Sequence, residues 1–165
     1  MSVYVIDTAA LVDLMNHFPP KRVRKALRRL CQRDQLRFPE GVFREIRRKS
    51  DKLKEIIVSL EKKFPAIHVK IGEQKSFQEQ WVRIECSYGE VIRVGNRTYP
   101  GFWHSQSGRR SADAQLVAVA KVLNGVVVSS DRAVTLCCML ENVAHVGWAE
   151  FARQVELVER TLFDR

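Results

Sequence analysis

Four carboxylates stand where this chain could do chemistry. Asp7 closes the apolar run Val3-Tyr4-Val5-Ile6, and Leu11, Val12, Leu14 and Met15 follow soon after; Asp131 lies just beyond Val126-Val127-Val128. A carboxylate in apolar surroundings is costly to desolvate unless something compensates. Glu45 lies between the apolar Phe43 and Ile46, and Asp113 opens the segment that leads into the valine run. In open α/β sheets ligands gather at the carboxyl ends of the strands, which is where Asp7 and Asp131 fall if both apolar runs are strands. Four such groups on one edge repel one another and resist ionisation unless a cation joins them. The set asks for a metal ion. Oxygen donors without a His or Cys cluster suit Mg2+ or Mn2+ better than zinc. Singly, each acid has a plainer role: Asp7 as a helix cap, Asp113 as complement to a helix dipole, Glu45 as partner of Arg44, Arg48 or Lys49.

The elements that must position these acids are legible in outline. Residues 3 to 6 suit a strand buried on both faces. Thr8 is a candidate cap for a helix ended by Pro19-Pro20. Val23, Leu27, Leu30 and Cys31 line one face of a basic helix, and Leu36-Arg37-Phe38-Pro39 fits a second strand. Helices follow around Val42 to Ile46 and Leu53 to Leu60, with Ser50 or Asp51 as a cap between them, and residues 67 to 71 suit a third strand. Phe77, Trp81, Ile84, Tyr88 and Val91 recur at helical spacing, although 82 to 89 also fits a hairpin. Residues 96 to 110 lack periodicity and read as loop, so the segment at about 72–110 is the irregular part of a single domain spanning 1–165. A helix capped by Ser111 and stopped at Asn124-Gly125, the valine strand, a helix from Ala133 to Leu140, a strand at 143 to 146 and a last helix from Ala149 to about Thr161 complete the order. Strands alternating with helices imply an α/β fold with a parallel sheet.

The chain has 165 residues, 45% of them hydrophobic, enough for one proper core. Its formal charge is +9, and residues 20 to 54 alone hold 14 basic against 4 acidic side chains. That concentration points to a polyanion or an acidic protein as partner, with Arg24, Arg28 and Arg47 as candidate nucleic-acid contacts. The cysteines at 31, 86, 137 and 138 show no zinc spacing. No stretch approaches the roughly 18 apolar residues of a membrane span, and the start lacks a basic region with a cleavage site. A soluble cytoplasmic protein is expected.

The motifs VIDTAALVDL at 5 to 14, FPEGVFREI at 38 to 46, SADAQLVAVA at 111 to 120 and VVVSSDRAV at 126 to 134 resemble those of the PIN-domain nucleases, over most of the chain. The resemblance implies a three-layer α/β/α sandwich around a central, mostly parallel sheet. It implies Mg2+ or Mn2+ bound by Asp7, Glu45, Asp113 and Asp131, with Ser129 as active-site neighbour. The middle of the chain and the ending AHVGWAEFARQVE are similar to a VapC-like branch often found as toxins of toxin–antitoxin pairs. The expected function is metal-dependent hydrolysis of RNA phosphodiesters. An antitoxin and a second copy of the chain are open as protein partners. A non-catalytic binding module and a DNA-directed nuclease are the alternatives. The sequence departs from many relatives in having Arg132-Ala133-Val134 after Asp131, where a further acid often occurs.

Overall fold

A computed structural model describes residues 2–49, 51–102 and 110–158, with the side chains of Arg110 and Ser111 left aside. Five strands form one sheet in the order β3-β2-β1-β6-β7, and every pairing in it is parallel. The strands are β1 (Tyr4–Ile6), β2 (Leu36–Pro39), β3 (His68–Val69), β6 (Val126–Val128) and β7 (Ala144–Val146). A separate antiparallel hairpin comprises β4 (Ile92–Val94) and β5 (Arg97–Tyr99). The helices are α1 (Thr8–His17), α2 (Pro20–Gln32), α3 (Glu40–Arg47), α4 (Lys52–Lys63), α5 (Lys75–Tyr88), α6 (Arg110–Leu123), α7 (Arg132–Leu140) and α8 (Trp148–Gln154). The helices flank the sheet, giving the three layers expected.

The apolar triplets at the centre of the sheet explain its register. Val5, Ile6, Val127 and Val128 are wholly buried, and Tyr4, Val5 and Ile6 pair with Val126, Val127 and Val128. The residues that follow each triplet, Asp7 and Ser129, are therefore neighbours at the carboxyl edge. Asp34, Asn124, Asn142 and Glu156 take positive φ just after α2, α6, α7 and α8. Asp and Asn tolerate that conformation better than other non-glycine residues, which makes them effective helix stops.

Some local expectations are met and others revised. Thr8 starts α1 without capping it, because its hydroxyl is used elsewhere. Asp51 is the cap of α4, accepting from the Lys54 amide; Ser50 lies outside the described residues, as does the Ser111 side chain. The third strand shrinks to His68–Val69, between 3-10 turns at Pro65–Ile67 and Ile71–Glu73. The stretch from 75 to 88 is helical, as its spacing favoured, and the hairpin lies beyond it, with only its second strand inside the segment read as loop. Its turn is Gly95-Asn96, with Gly95 at φ +59°. Finally, α8 stops at Gln154 instead of running to Thr161. The Arg29 guanidinium donates to the Val155 carbonyl at 2.8 Å and Arg22 donates to that of Leu157 at 2.8 Å. Tertiary contacts thus take carbonyls that a longer helix would need.

A buried ionic knot closes the face made by α5, α6 and α7. Glu141, just past α7, accepts from Arg83, from Lys121 and, at 2.7 Å, from the Tyr88 hydroxyl. The Arg83 hydrogen bonds, with those of Lys121 and Tyr88 outweighing burial, lower its pKa to about 2. A depressed carboxylate stabilises the fold above its ordinary value near 4.5, and that contribution disappears as pH falls toward 2. Glu141→Gln should cost about 1–2 kcal/mol at neutral pH, the partners being partly solvated. Urea unfolding at pH 7 and pH 3 checks this: the gap between variant and wild type should narrow at the lower pH.

Candidate active site

The site is assembled from four elements that meet at the carboxyl edge of the sheet. Asp7 follows β1 and occupies the N-cap position of α1, yet its carboxylate makes no cap hydrogen bond. Instead it accepts from the Ser129 hydroxyl at 3.0 Å, a contact set by the β1–β6 register. Ser129 in turn accepts from the Asp131 amide at 3.2 Å. Asp131 does cap α7, accepting from the Val134 amide at 3.0 Å. Asp131 thus has a capping role alongside any other, whereas the principal partner of the Asp7 carboxylate is Ser129, with the Ala9 amide of α1 as a lesser influence.

Glu45 arrives from α3, its Oε2 accepting from the Thr8 hydroxyl at 2.7 Å. Thr8 and Ser129 thus each hold one acid from either side of the end of β1. Asp113 arrives from the first turn of α6. Burial raises it, and Asp7, Asp131 and Glu45 raise it further, to about 8. Asp7 is raised to about 6, chiefly by burial and then by Glu45 and Asp131, with the Ser129 hydroxyl and the Ala9 amide opposing. The four acids singled out by sequence are thus within electrostatic reach of one another.

Every resolved influence on Asp113 favours its neutral form, so a cation at this edge would relieve the strain the acids place on one another. All four offer hard oxygen donors, which fits Mg2+ or Mn2+. Among the described residues no group of three or more Asp, Glu, His or Cys side chains is placed so that it could hold a metal ion as it stands.

Two residues that sequence reasoning passed over hold α3 against α6. Gln115 is buried, and its Oε1 accepts from the Gly41 amide at 2.8 Å. A Cβ at Gly41 would lie 2.7 Å from that oxygen and 2.9 Å from the Ala112 Cα. Only glycine permits this approach, which brings Glu45 toward Asp113. A lone polar residue inside the apolar stretch of SADAQLVAVA was the available signal.

The basic residues divide differently. Arg47 is bound to Glu61 at 2.8 Å and lies over the Phe43 ring, while Arg24 donates to the Ser59 hydroxyl at 3.4 Å. Arg28 is exposed on α2. At the end of α2, Arg29 and the C-cap residue Arg33 share a pocket with Tyr4 and Gln35, which mark the amino ends of β1 and β2. That end of the basic helix is across the sheet from the acids. Of the aromatics in the middle segment, Phe102 is core, Tyr99 is half-buried and Trp103 lies outside the described residues. No described helix is long and apolar enough to cross a membrane.

Comparisons with known proteins bear on the family and the fold. A family model described as a domain of unknown function (DUF4411) matches residues 4–146. The solved structure of FitAcB from Neisseria gonorrhoeae is similar with a TM-score of 0.54 at 16% identity, over 89% of this chain and 99% of that one. The likeness is one of fold, and it agrees with the PIN-like sandwich. No curated protein matches the sequence significantly.

Proposed function

The chain belongs to the DUF4411 family, and from that premise and its PIN-like fold we propose that it is a metal-dependent endoribonuclease. The observation that carries the reading is the convergence of Asp7, Glu45, Asp113 and Asp131, with Asp113 held near 8 by burial and by the other three. Mg2+ or Mn2+ bound there would activate water and neutralise charge on the leaving oxygen of a phosphodiester. Ser129 orients Asp7, Thr8 orients Glu45, and the Gly41–Gln115 contact sets the spacing between α3 and α6. The chain itself then needs no nucleophile. Arg24, Arg28 and Arg47 would supply general attraction for the phosphate backbone. The sequence resemblance to the VapC-like branch supports a toxin role in the cytoplasm, with an antitoxin as protein partner and with self-association open.

The test is incubation of the purified protein with a structured RNA pool and, beside it, single-stranded DNA. Internal RNA cleavage should require Mn2+ and stop on chelation. The same ion should raise the melting temperature, by the equivalent of about 2.7 kcal/mol when its concentration is a hundred times its dissociation constant. RNA left whole beside cut DNA would redirect the reading to a DNA nuclease. If neither strand is cut and Mn2+ leaves the melting temperature unchanged, the chain is a binding module.

A further inference from the structure

A cavity of about 440 Å3 lies between the β4–β5 hairpin and the start of α7, lined by Arg97, Thr98, Tyr99, Pro100, Arg132 and Ala133. We propose that it is a nucleotide subsite beside the acids, taking one phosphate of an RNA strand between Arg97 and Arg132 and the attached base against Tyr99. The proposal rests on the nuclease reading and names how the substrate is held.

Position is the first argument. Arg132 is joined directly to Asp131, so whatever it binds lies next to the acidic edge.

Availability of charge is the second. Arg22, Arg29, Arg37, Arg47, Arg83 and Arg153 all donate to oxygens of the protein itself. Arg97 and Arg132 are exposed and, among the described residues, neither is committed to a carboxylate or a carbonyl. Two guanidinium forks on one cavity match the geometry of a phosphate. The volume lies within the range of about 300–1,000 Å3 common to small-ligand sites.

The third argument is that the cavity wall is fixed. A Cβ on Gly101 would lie 1.9 Å from the Glu90 carbonyl oxygen, so the strand leaving the hairpin is pressed against the chain leaving α5. Phe102, next in sequence, is 1% exposed. Tyr99 is thereby held half-buried at the cavity, where an aromatic face can stack on a base whatever its identity. Two cations with an aromatic ring and Pro100 favour a nucleotide over an acidic peptide, which would use the cations and leave the ring idle.

The experiment measures binding of a labelled oligouridylate with Mn2+ in an Asp7→Asn background, to prevent cleavage, and KM and kcat in the otherwise native enzyme. Arg97→Ala with Arg132→Ala should weaken binding at least tenfold and flatten its salt dependence by roughly 0.7 of a unit, the share of one phosphate on a single strand. KM should rise while kcat holds. Tyr99→Ala should weaken binding roughly tenfold, and Tyr99→Phe should restore it. Melting temperatures, with and without Mn2+ in the native background, should match wild type for the arginine pair, both being exposed. Unchanged affinity, salt slope and KM in that pair would overturn the proposal while leaving the nuclease reading intact. Arginine-dependent binding in a protein that cuts no RNA would do the reverse. Displacement of the strand by polyglutamate at matched charge would also overturn it.

Discussion

Asp7→Asn should lower RNA cleavage by on the order of a thousandfold, several kcal/mol of lost charge stabilisation in the transition state, while the metal-free protein becomes no less stable. The amide is nearly the same shape and its oxygen can still accept from Ser129, so packing at the end of β1 is kept. What changes is charge. The native carboxyl has its pKa raised to about 6, so its contribution to stability is complete below the ordinary value near 3.8 and is lost as pH rises through 6. At pH 7 the neutral variant escapes that loss and should gain on the order of 2 kcal/mol over wild type. At pH 4 the two should melt nearly together. Mn2+ should stabilise wild type and scarcely move the variant, since an amide is a poor ligand for a hard dication. Thermal melts across pH with and without Mn2+ separate these effects. A variant that melts lower at every pH and still cuts RNA would show that Asp7 only holds the strand end.

Gly41→Ala carries the second large effect, although it adds one methyl group and touches no acid. Its new carbon would need to displace both the Gln115 oxygen and the Ala112 backbone. The first could give, at the cost of a buried hydrogen bond; the second could not without moving α6. Overpacking of this kind costs about 1–3 kcal/mol. Because Glu45 and Asp113 ride on the two helices being forced apart, cleavage should fall roughly a hundredfold, the loss that follows a misplacement near 1 Å. Adding Gln115→Ala should recover little of it, because the Ala112 backbone still obstructs the methyl. Full recovery would mean that only the side-chain oxygen matters.

The acids were legible because their places follow from topology. One apolar triplet followed at once by Asp7, and another with Asp131 three residues past its end, mark two parallel strands with ligands at one edge, and helical periodicity put Glu45 and Asp113 on helices that feed the same layer. Their supports were less legible. Thr8 looks like a cap in sequence, and only the arrival of α3 reveals that its hydroxyl serves Glu45. Glu141 gives no local signal, since its three partners lie on α5 and α6. The hairpin escaped notice because Arg93, Val94, Arg97 and Thr98 are exposed, so no alternation marks its strands. Gly95-Asn96 was a readable turn all the same. The end of α8 depends on Arg22 and Arg29, more than a hundred residues away in sequence, and no helical pattern could contain it.

Arg33 lies beside Tyr4 and Gln35 at the amino ends of β1 and β2, so on the proposed nuclease reading the molecule would be bipolar, with a retaining pole and a cutting pole. A three-residue strand and its flanks separate them by about 10 Å or more. A polyanion caught on the first pole is not thereby presented to the second. Retention on a cation exchanger, or the shift of a long strand in a gel, reports mainly the retaining pole, and both are insensitive to damage at the acids. Oligonucleotides too short to span the two poles form complexes of two kinds, one of them idle, and the idle kind grows with concentration. On that reading the chain's net charge of +9 would govern how it captures a strand, while the rate of turnover would be set at an edge where the dominant charge is negative.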